Sequence, residues 1–189
     1  MEYKNDFLDL LKITDENFIG FGNPNASILI IGKETSDSDD KFSFRKNNRT
    51  DWLYNVDRKY GYEELKKEVD EEHKMFFNPL FPYYDLNMHF KLRGKTLSSN
   101  AGINDHTTSR TWYMYQKLVD LIYDMPVRNK NDRLDFFEKT FITELSDVSS
   151  KNSNEADAEL RKFSVENRVG KSFLKHTFFQ KFPIVIMAV

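Results

Sequence analysis

The chain reads Asn25-Ala26-Ser27-Ile28-Leu29-Ile30-Ile31-Gly32-Lys33-Glu34-Thr35-Ser36 in the stretch that decides its fold. Its aliphatic run stops at Gly32, and an acidic residue, Glu34, follows two positions later. Strands buried on both faces of a parallel sheet read as continuous aliphatic runs rather than as alternating ones. Ligands of such sheets bind just beyond the carboxyl ends of the strands. The stretch therefore predicts a buried strand over about 27–32, with Glu34 in a binding site at its end.

Composition limits the number of domains and excludes several kinds of functional site. At 189 residues, with 17 Phe, the chain has the size and the apolar material of one globular domain. Its 28 basic and 30 acidic residues leave a net charge of −2, so nucleic-acid binding would need a local basic patch. The absence of cysteine excludes disulfides, zinc–thiolate sites and cysteine nucleophiles. With no signal-like start and no long apolar run, we expect a cytoplasmic protein without a membrane partner.

Further strands and helices are predicted by periodicity. Apolar runs at about 139–145 and 183–189 predict a second and a third buried strand. Apolar residues at helical spacing predict helices over about 63–76, 109–124, 132–138 and 165–181, together with an amphipathic helix that buries Tyr3, Phe7, Leu10 and Leu11. We expect the polar segment from 36 to 60 and the segment from 78 to 107 to be irregular.

Strands that alternate with helices follow βαβ logic, which makes the sheet parallel. We therefore expect one α/β domain over 1–189, built as a three-layer α/β/α sandwich around a short parallel sheet. The sequence ends on the apolar run that predicts the third strand, so we also expect a final strand and helix beyond Val189.

Three short motifs resemble the uracil-DNA glycosylase superfamily. The segment 32–36, Gly-Lys-Glu-Thr-Ser, is similar to that family's first motif, in which a strand ends in patterns such as Gly-Gln-Asp-Pro-Tyr. The turn over 22–26 resembles the turn before that strand, and 183–189 resembles the third strand. The segment 142–145, Ile-Thr-Glu-Leu, is similar to the Ile-Thr-Asn-Leu run that ends the second strand. The resemblance implies a divergent member of the superfamily with a uracil-DNA glycosylase-like fold.

The sequence departs from the family pattern at positions that belong to the family's functional motifs. Thr35 stands where the family has proline, and Glu144 stands where an amide reads the flipped base. An ionised glutamate offers only hydrogen-bond acceptors, whereas an amide offers donors as well. The family's fourth strand and its His-Pro-Ser-type loop would follow Val189.

The resemblance implies hydrolysis of an N-glycosidic bond, a DNA-repair chemistry that needs no cofactor. Glu34 aligns with the water-activating Asp of the family and is the expected catalytic residue, since a carboxylate orients water and stabilises positive charge on the sugar. Such enzymes extrude the base into a pocket. Gly32, Lys33, Thr35 and Ser36 are the expected contacts to a phosphate or to the leaving base, and the partner is DNA or a nucleotide-like ligand.

Four residues outside the first motif complete the expected substrate site: Phe81, His106, Arg110 and Glu144. An aromatic ring such as Phe81 stacks on a base, and basic side chains in the same long loops meet phosphates. Arg110 stands at a predicted helix start, where anions bind. The ordinary alternatives are that Phe81 anchors a loop to the core and that Arg110 pairs with a nearby acid.

Two other functions stay open on the sequence alone. Glu34 and Glu144 at one sheet edge would recruit a divalent metal with help from Asp37, Asp39 or Asp40, which gives a metal-assisted hydrolase of a nucleotide-like substrate. The other alternative is a non-catalytic module that binds nucleic acid or protein on the same fold. The ordinary alternative for Glu34 itself is a solvated loop acid or a helix-capping residue.

Overall fold

The computed structural model of the protein describes residues 1–33, 47–68, 78–82, 88–92, 108–148, 158–171 and 173–188. Within those residues, no helix is both long enough and apolar enough to cross a membrane. The strands are β1 (Phe21–Gly22), β2 (Ile28–Gly32), β3 (Thr140–Glu144) and β4 (Ile184–Ala188). The α-helices are α1 (Asn5–Ile13), α2 (Asn48–Asp57), α3 (Tyr62–Glu68), α4 (Arg110–Ile122), α5 (Phe136–Lys139), α6 (Ala158–Val165) and α7 (Thr177–Gln180).

The four strands form one sheet in the order β1-β3-β2-β4. β2 runs parallel to both β3 and β4, as the alternation of strands and helices predicts. β1 runs antiparallel to β3, so the sheet is mixed rather than purely parallel. The prediction of an α/β fold is confirmed, and so are the positions of the three main strands.

One face of the sheet packs against helices through aromatic side chains. The ring of Phe141 in β3 lies 5.9 Å from Phe7 of α1, 6.0 Å from Trp52 of α2 and 5.1 Å from Phe178 of α7. The helix face predicted near the start of the chain is confirmed, since all its apolar members are buried. This aromatic cluster anchors β3 and therefore fixes the position of its last residue, Glu144.

The helix α2 falls in a segment predicted to be irregular, and that prediction is wrong. Two of its three buried residues, Asn48 and Asn55, are polar, and only Trp52 is aromatic, so apolar periodicity gives little signal for it. The Asn48 side chain accepts hydrogen bonds from the N–H groups of Ile19 and Gly20, at 2.8 and 3.1 Å, and donates to the Gly20 carbonyl at 3.0 Å. The Trp52 indole N–H donates to the same carbonyl at 2.9 Å. Hydrogen bonds to a buried backbone segment thus take the place of an apolar stripe.

The single helix predicted over 165–181 is also wrong. The chain there forms a π-helix (Glu166–Lys171), a 3₁₀ turn (Phe173–Lys175) and then α7. The wider π-helical turn changes which side chain faces the core: Val169 is exposed, and Arg168 is fully buried. π-Helical turns inside helical segments are frequent at functional sites.

The third main strand differs from its prediction as well. β4 was expected to be buried, but it is the last strand of the sheet among the described residues. Ile184, Val185 and Met187 are exposed, and Ile186 and Ala188 are half-buried. Two predicted regions are only partly described. The helix predicted over 63–76 is described as far as residue 68, and of the segment 78–107 the structure describes 78–82 and 88–92.

Candidate functional site at the carboxyl edge of the sheet

The carboxyl ends of β2 and β3 meet side by side. Gly32 and Glu144 are register partners in the parallel pair. Hydrogen bonding continues past both strands, because the Leu145 N–H donates to the Gly32 carbonyl at 2.8 Å and the Ser146 N–H donates to the Lys33 carbonyl at 3.1 Å. The two motif segments are thus held together at one edge, where ligands of α/β sheets bind.

The carboxylate of Glu144 lies over the backbone of Gly32. A Cβ atom built on Gly32 would be 2.0 Å from Oε2 of Glu144 and 2.8 Å from its carboxyl carbon. Ala188 of β4 is the register partner of Gly32 on its other side. Paired residues of parallel strands point to the same face, so the register neighbours of Glu144 on the β2 side are both small. Glycine at position 32 therefore makes room for the acid, which is 6% exposed.

Tyr115 of α4 lies close enough to Glu144 for the charge of the carboxylate to change the pKa of the phenol. Burial raises the pKa of Tyr115 to about 12, and the negative charge of Glu144 adds to the rise. The phenol thus keeps its proton at neutral pH and remains a hydrogen-bond donor. α4 itself begins as predicted, because Ser109 caps its first turn by accepting the Trp112 N–H at 3.2 Å.

Arg168 ties the end of β3 to the segment before β1. Its guanidinium donates to the Glu144 carbonyl at 3.1 Å, to the Phe18 carbonyl at 2.9 Å and to Oγ1 of Thr143 at 3.1 Å. It also stacks on the Phe173 ring, 4.1 Å from the ring centroid. Burial lowers the pKa of Arg168, while nearby carboxylates oppose that change. A buried cation with this many fixed partners holds the backbone of Glu144 in place.

Glu16 supplies the charge partner of that arginine. Its carboxylate accepts a hydrogen bond from Arg168 at 2.8 Å. Burial raises the pKa of Glu16, and the arginine acts in the opposite direction. The loop after β3 is tied down on the same side, because the Asp147 N–H donates to Oγ of Ser164 in α6 at 2.9 Å. The edge at Glu144 is thus built by polar contacts from α6 and the π-helix.

The predicted site residues divide into three groups. Gly32, Lys33 and Glu144 lie together at the carboxyl edge, with Lys33 exposed. Arg110 is exposed in the first turn of α4, five residues before Tyr115. The remaining members fall outside the described residues: Glu34, Thr35, Ser36 and His106.

Phe81 is a core residue. Its ring is fully buried, 5.0 Å from the ring of Phe137 and 6.0 Å from that of Tyr62. Phe137 precedes β3, whereas Glu144 ends it, so Phe81 packs at the opposite end of that strand. The ring offers no open face for a base, and the structure fits the alternative that Phe81 anchors a loop.

A cavity of about 330 Å³ lies at that same opposite end, beside the start of β3. Leu80 and Phe137 line its apolar part, and Tyr62, Glu64 and Glu138 line its polar part. Burial raises the pKa of Glu138, although Arg133 forms an ion pair with it at 3.1 Å. Since it sits at the wrong end of β3, this cavity does not belong to the candidate site.

A metal centre finds no support in the described part of the chain, which contains no group of three or more His, Asp or Glu side chains able to hold an ion. The acids expected to join Glu144 in such a site, Asp37, Asp39 and Asp40, lie outside the described ranges. The metal-assisted alternative therefore remains a prediction.

Sequence reasoning assigned neither Arg168 nor Tyr115 to the site. Arg168 lies within a stretch whose apolar residues fit a regular helix, and that spacing assigns it to the solvent face. The polar start of the segment, Glu166-Asn167-Arg168, was the available signal, because three consecutive polar residues interrupt an apolar stripe.

Comparison with known proteins identifies no relative of this chain: no family model matches it, and neither a curated protein nor a solved structure does.

Proposed function

We propose that the chain is a divergent uracil-DNA glycosylase-like protein that recognises a nucleic-acid base and hydrolyses its N-glycosidic bond. Glu34 is the water-activating carboxylate in this proposal, and Glu144 contacts the base. The fold that goes with it is a three-layer α/β/α sandwich. The observation that carries the proposal is the register pairing of Gly32 with Glu144, which brings the first and second motifs to one edge of the sheet.

Two further features support the assignment. The strand order β3-β2-β4, with β2 in the centre and all three strands parallel, puts the carboxyl ends of three motif-bearing strands on one side. Glu34 follows Gly32 by two residues, and two residues of chain span at most about 7 Å. That reach is compatible with the role that we propose for Glu34 beside Glu144.

Glu144 in place of an amide restricts the class of base. An ionised carboxylate accepts hydrogen bonds and donates none, so it recognises N–H groups on the base edge. The ring N–H groups of uracil and hypoxanthine and the exocyclic amines of cytosine and adenine meet this need. Tyr115, which keeps its proton, supplies the donor that the glutamate lacks.

The test is abasic-site formation on DNA duplexes that carry uracil, hypoxanthine or a mismatched base. We expect cleavable abasic sites with the wild-type chain and at least a hundredfold slower formation with Glu34→Gln, since removal of a positioned acid–base group costs about 10²–10⁴ in rate. Glu2→Gln is the matched control, because it removes an exposed carboxylate far along the chain from the motif.

The same assay separates the alternatives. Product formation that a chelator abolishes would favour the metal-assisted hydrolase over the glycosylase. DNA binding without product, unchanged in Glu34→Gln, would favour the binding module. Absence of both product and binding across the panel would contradict the proposal.

A further inference from the structure

The peptide group between Glu144 and Leu145 is held at both ends. Its N–H, on Leu145, donates to the Gly32 carbonyl at 2.8 Å, and its C=O, on Glu144, accepts a hydrogen bond from Nε of Arg168 at 3.1 Å. The N–H and the C=O of one peptide group point to opposite sides of a strand. The group is therefore fixed by β2 on one side and by the arginine on the other.

Arg168 takes the place of a neighbouring strand at this point. Among the described residues, β1 pairs with β3 from Phe21, opposite Ile142, so strand pairing on that side stops two residues before Glu144. A buried carbonyl without a donor is costly, and the guanidinium supplies the donor. The orientation of the peptide group at the end of β3 thus depends on one side chain.

The guanidinium of Arg168 is itself fixed in plane and in position. It donates to the carboxylate of Glu16 at 2.8 Å, to the Phe18 carbonyl at 2.9 Å and to Oγ1 of Thr143 at 3.1 Å. It stacks on the ring of Phe173, 4.1 Å from the centroid, and the side chain is 1% exposed. A lysine carries the same charge but has no planar fork of donors, so it cannot make all these bonds at once.

We infer that Arg168 is a positioning residue of the candidate site: by fixing the peptide group that follows Glu144, its guanidinium holds the Glu144 carboxylate over Gly32, from where that carboxylate contacts a base. The contact with the base rests on the proposed function, whereas the hold on the carboxylate does not. Because the guanidinium is buried behind the backbone of β3, Arg168 acts through Glu144 and not on the substrate.

Steady-state kinetics of base release from uracil- and hypoxanthine-bearing duplexes test the effect on the substrate. In the proposed function Glu144 contacts the base before and during bond cleavage, and Glu34 activates the water. A misplaced Glu144 weakens the ground state and the transition state alike, which raises KM and leaves kcat unchanged. We expect Arg168→Lys to raise KM at least about tenfold, the effect of one lost hydrogen bond to a charged group.

Two comparisons establish whether the effect passes through Glu144. In Glu144→Ala the contact with the base is already lost, so the further change Arg168→Lys should raise KM no more. Arg49→Lys is the matched control, because it also loses hydrogen bonds to a backbone carbonyl, that of Leu11, at 2.7 and 3.0 Å. That contact joins α2 to α1, so the control should keep the wild-type KM.

NMR spectra give a second readout that needs no activity. The negative charge of Glu144 contributes to the raised pKa of Tyr115, so that pKa reports the position of the carboxylate. Arg168→Lys should lower the pKa of Tyr115 and speed amide exchange at Leu145, whereas Arg49→Lys should change neither. Phe173→Leu removes the ring on which the guanidinium stacks, and it should act in the same direction if the lysine variant fails to fold.

Base release and the NMR readouts can fail separately. A wild-type chain that releases no base would remove the proposed function, and the Tyr115 pKa and the Leu145 exchange would then decide the role of Arg168 alone. Folded Arg168→Lys and Phe173→Leu chains that leave both readouts unchanged would overturn that role. A fall in kcat at constant KM, or a further rise in KM in the Glu144→Ala background, would overturn it as well.

Discussion

The carboxylate of Glu144 occupies the space that any side chain at position 32 would fill. A Cβ atom on Gly32 has three nearest neighbours, at 2.0, 2.8 and 3.0 Å, and all three belong to the Glu144 carboxyl group. The two residues are register partners at the ends of β2 and β3. A side chain at position 32 would thus force the carboxyl group of Glu144, the end of a flexible but buried side chain, to move.

Gly32→Ala is expected to lower the free energy of unfolding by about 1–3 kcal/mol, the usual range for forcing extra volume into a packed site. The added methyl group has to displace the buried carboxylate. Urea denaturation of the wild type and the variant measures the loss. Gly170→Ala is the control, because a Cβ built there meets nothing within 4 Å outside its chain neighbours and the backbone of its own helix, and it should not lower stability.

The clash is specific to one pair, so a double-mutant cycle tests it further. Gly32→Ala should cost less in a Glu144→Ala background, because the three nearest neighbours of the new methyl group have been removed. Equal costs in both backgrounds would show that Glu144 does not lie over Gly32.

Arg168→Ala is expected to destabilise the protein by about 3–5 kcal/mol, since truncating one member of a buried ion pair leaves the other charge unpaired. The variant leaves the Phe18 and Glu144 carbonyls without their donor and leaves Glu16 without its cation. Urea denaturation again gives the measurement. Arg58→Ala, which removes an exposed arginine from the end of α2, should stay within about 0.5 kcal/mol of the wild type.

Tyr115 makes stability depend on pH in alkaline solution. Its pKa is raised from 10.0 to about 12 in the folded chain, so the folded state holds this proton more tightly than the unfolded state does. The contribution is complete below pH 10 and is lost as the pH rises toward 12. Tyr115→Phe should therefore make the fall in the free energy of unfolding over that interval shallower. Denaturation curves at stepped pH check the slope.

Glu144→Gln offers a second arm of that experiment. Burial is the larger cause of the raised pKa, and the charge of Glu144 is the smaller one. Removing the charge should bring the pKa of Tyr115 down part of the way, as read from the ring signals of Tyr115 in NMR spectra. An unchanged pKa would contradict the proximity of the two groups.

Asn48→Ala is expected to cost about 3 kcal/mol, because it leaves the buried N–H groups of Ile19 and Gly20 without an acceptor. Thermal or urea unfolding measures the change. Asn47→Ala is a close control, since Asn47 is exposed and its side chain makes no capping hydrogen bond to α2. Similar losses in both variants would show that the bonds to the segment before β1 carry little energy.

The main strands could be predicted from the sequence because their signal is local. The run 28–31 is aliphatic throughout, and such a run in an α/β chain has few alternatives to a buried strand. The first helix was equally clear, since Phe7, Leu10 and Leu11 repeat at helical spacing and are all buried.

What could not be predicted depends on partners distant in sequence. The face of α2 is buried through Asn48 and Asn55, whose hydrogen-bond partners lie 29 and 23 residues away. Arg168 finds Phe18 and Glu16 about 150 residues away. The apolar run of β4 indicates a strand, but no local property distinguishes an edge strand from a central one.

The candidate site was predictable in part for the same reason. Strand ends locate Gly32, Lys33 and Glu144, because parallel strands bring their carboxyl ends to one edge. Phe81 does not lie at the end of a predicted strand, so the strand pattern could not locate it, and its ring belongs to the core. Tyr115 reaches the site because α4 packs beside the end of β3. The helical spacing of apolar residues predicts the helix but not where it packs.

In the proposed function, the carboxylate of Glu34 activates the water that releases the base, beside the edge where Gly32 meets Glu144. Single-turnover abasic-site formation on uracil- and hypoxanthine-bearing duplexes measures this role, with the wild type, Glu34→Gln and Glu2→Gln in parallel. We expect product with the wild type and with Glu2→Gln, and a rate at least about a hundredfold lower with Glu34→Gln. Equal rates for all three chains, or no product from the wild type, would rule this function out.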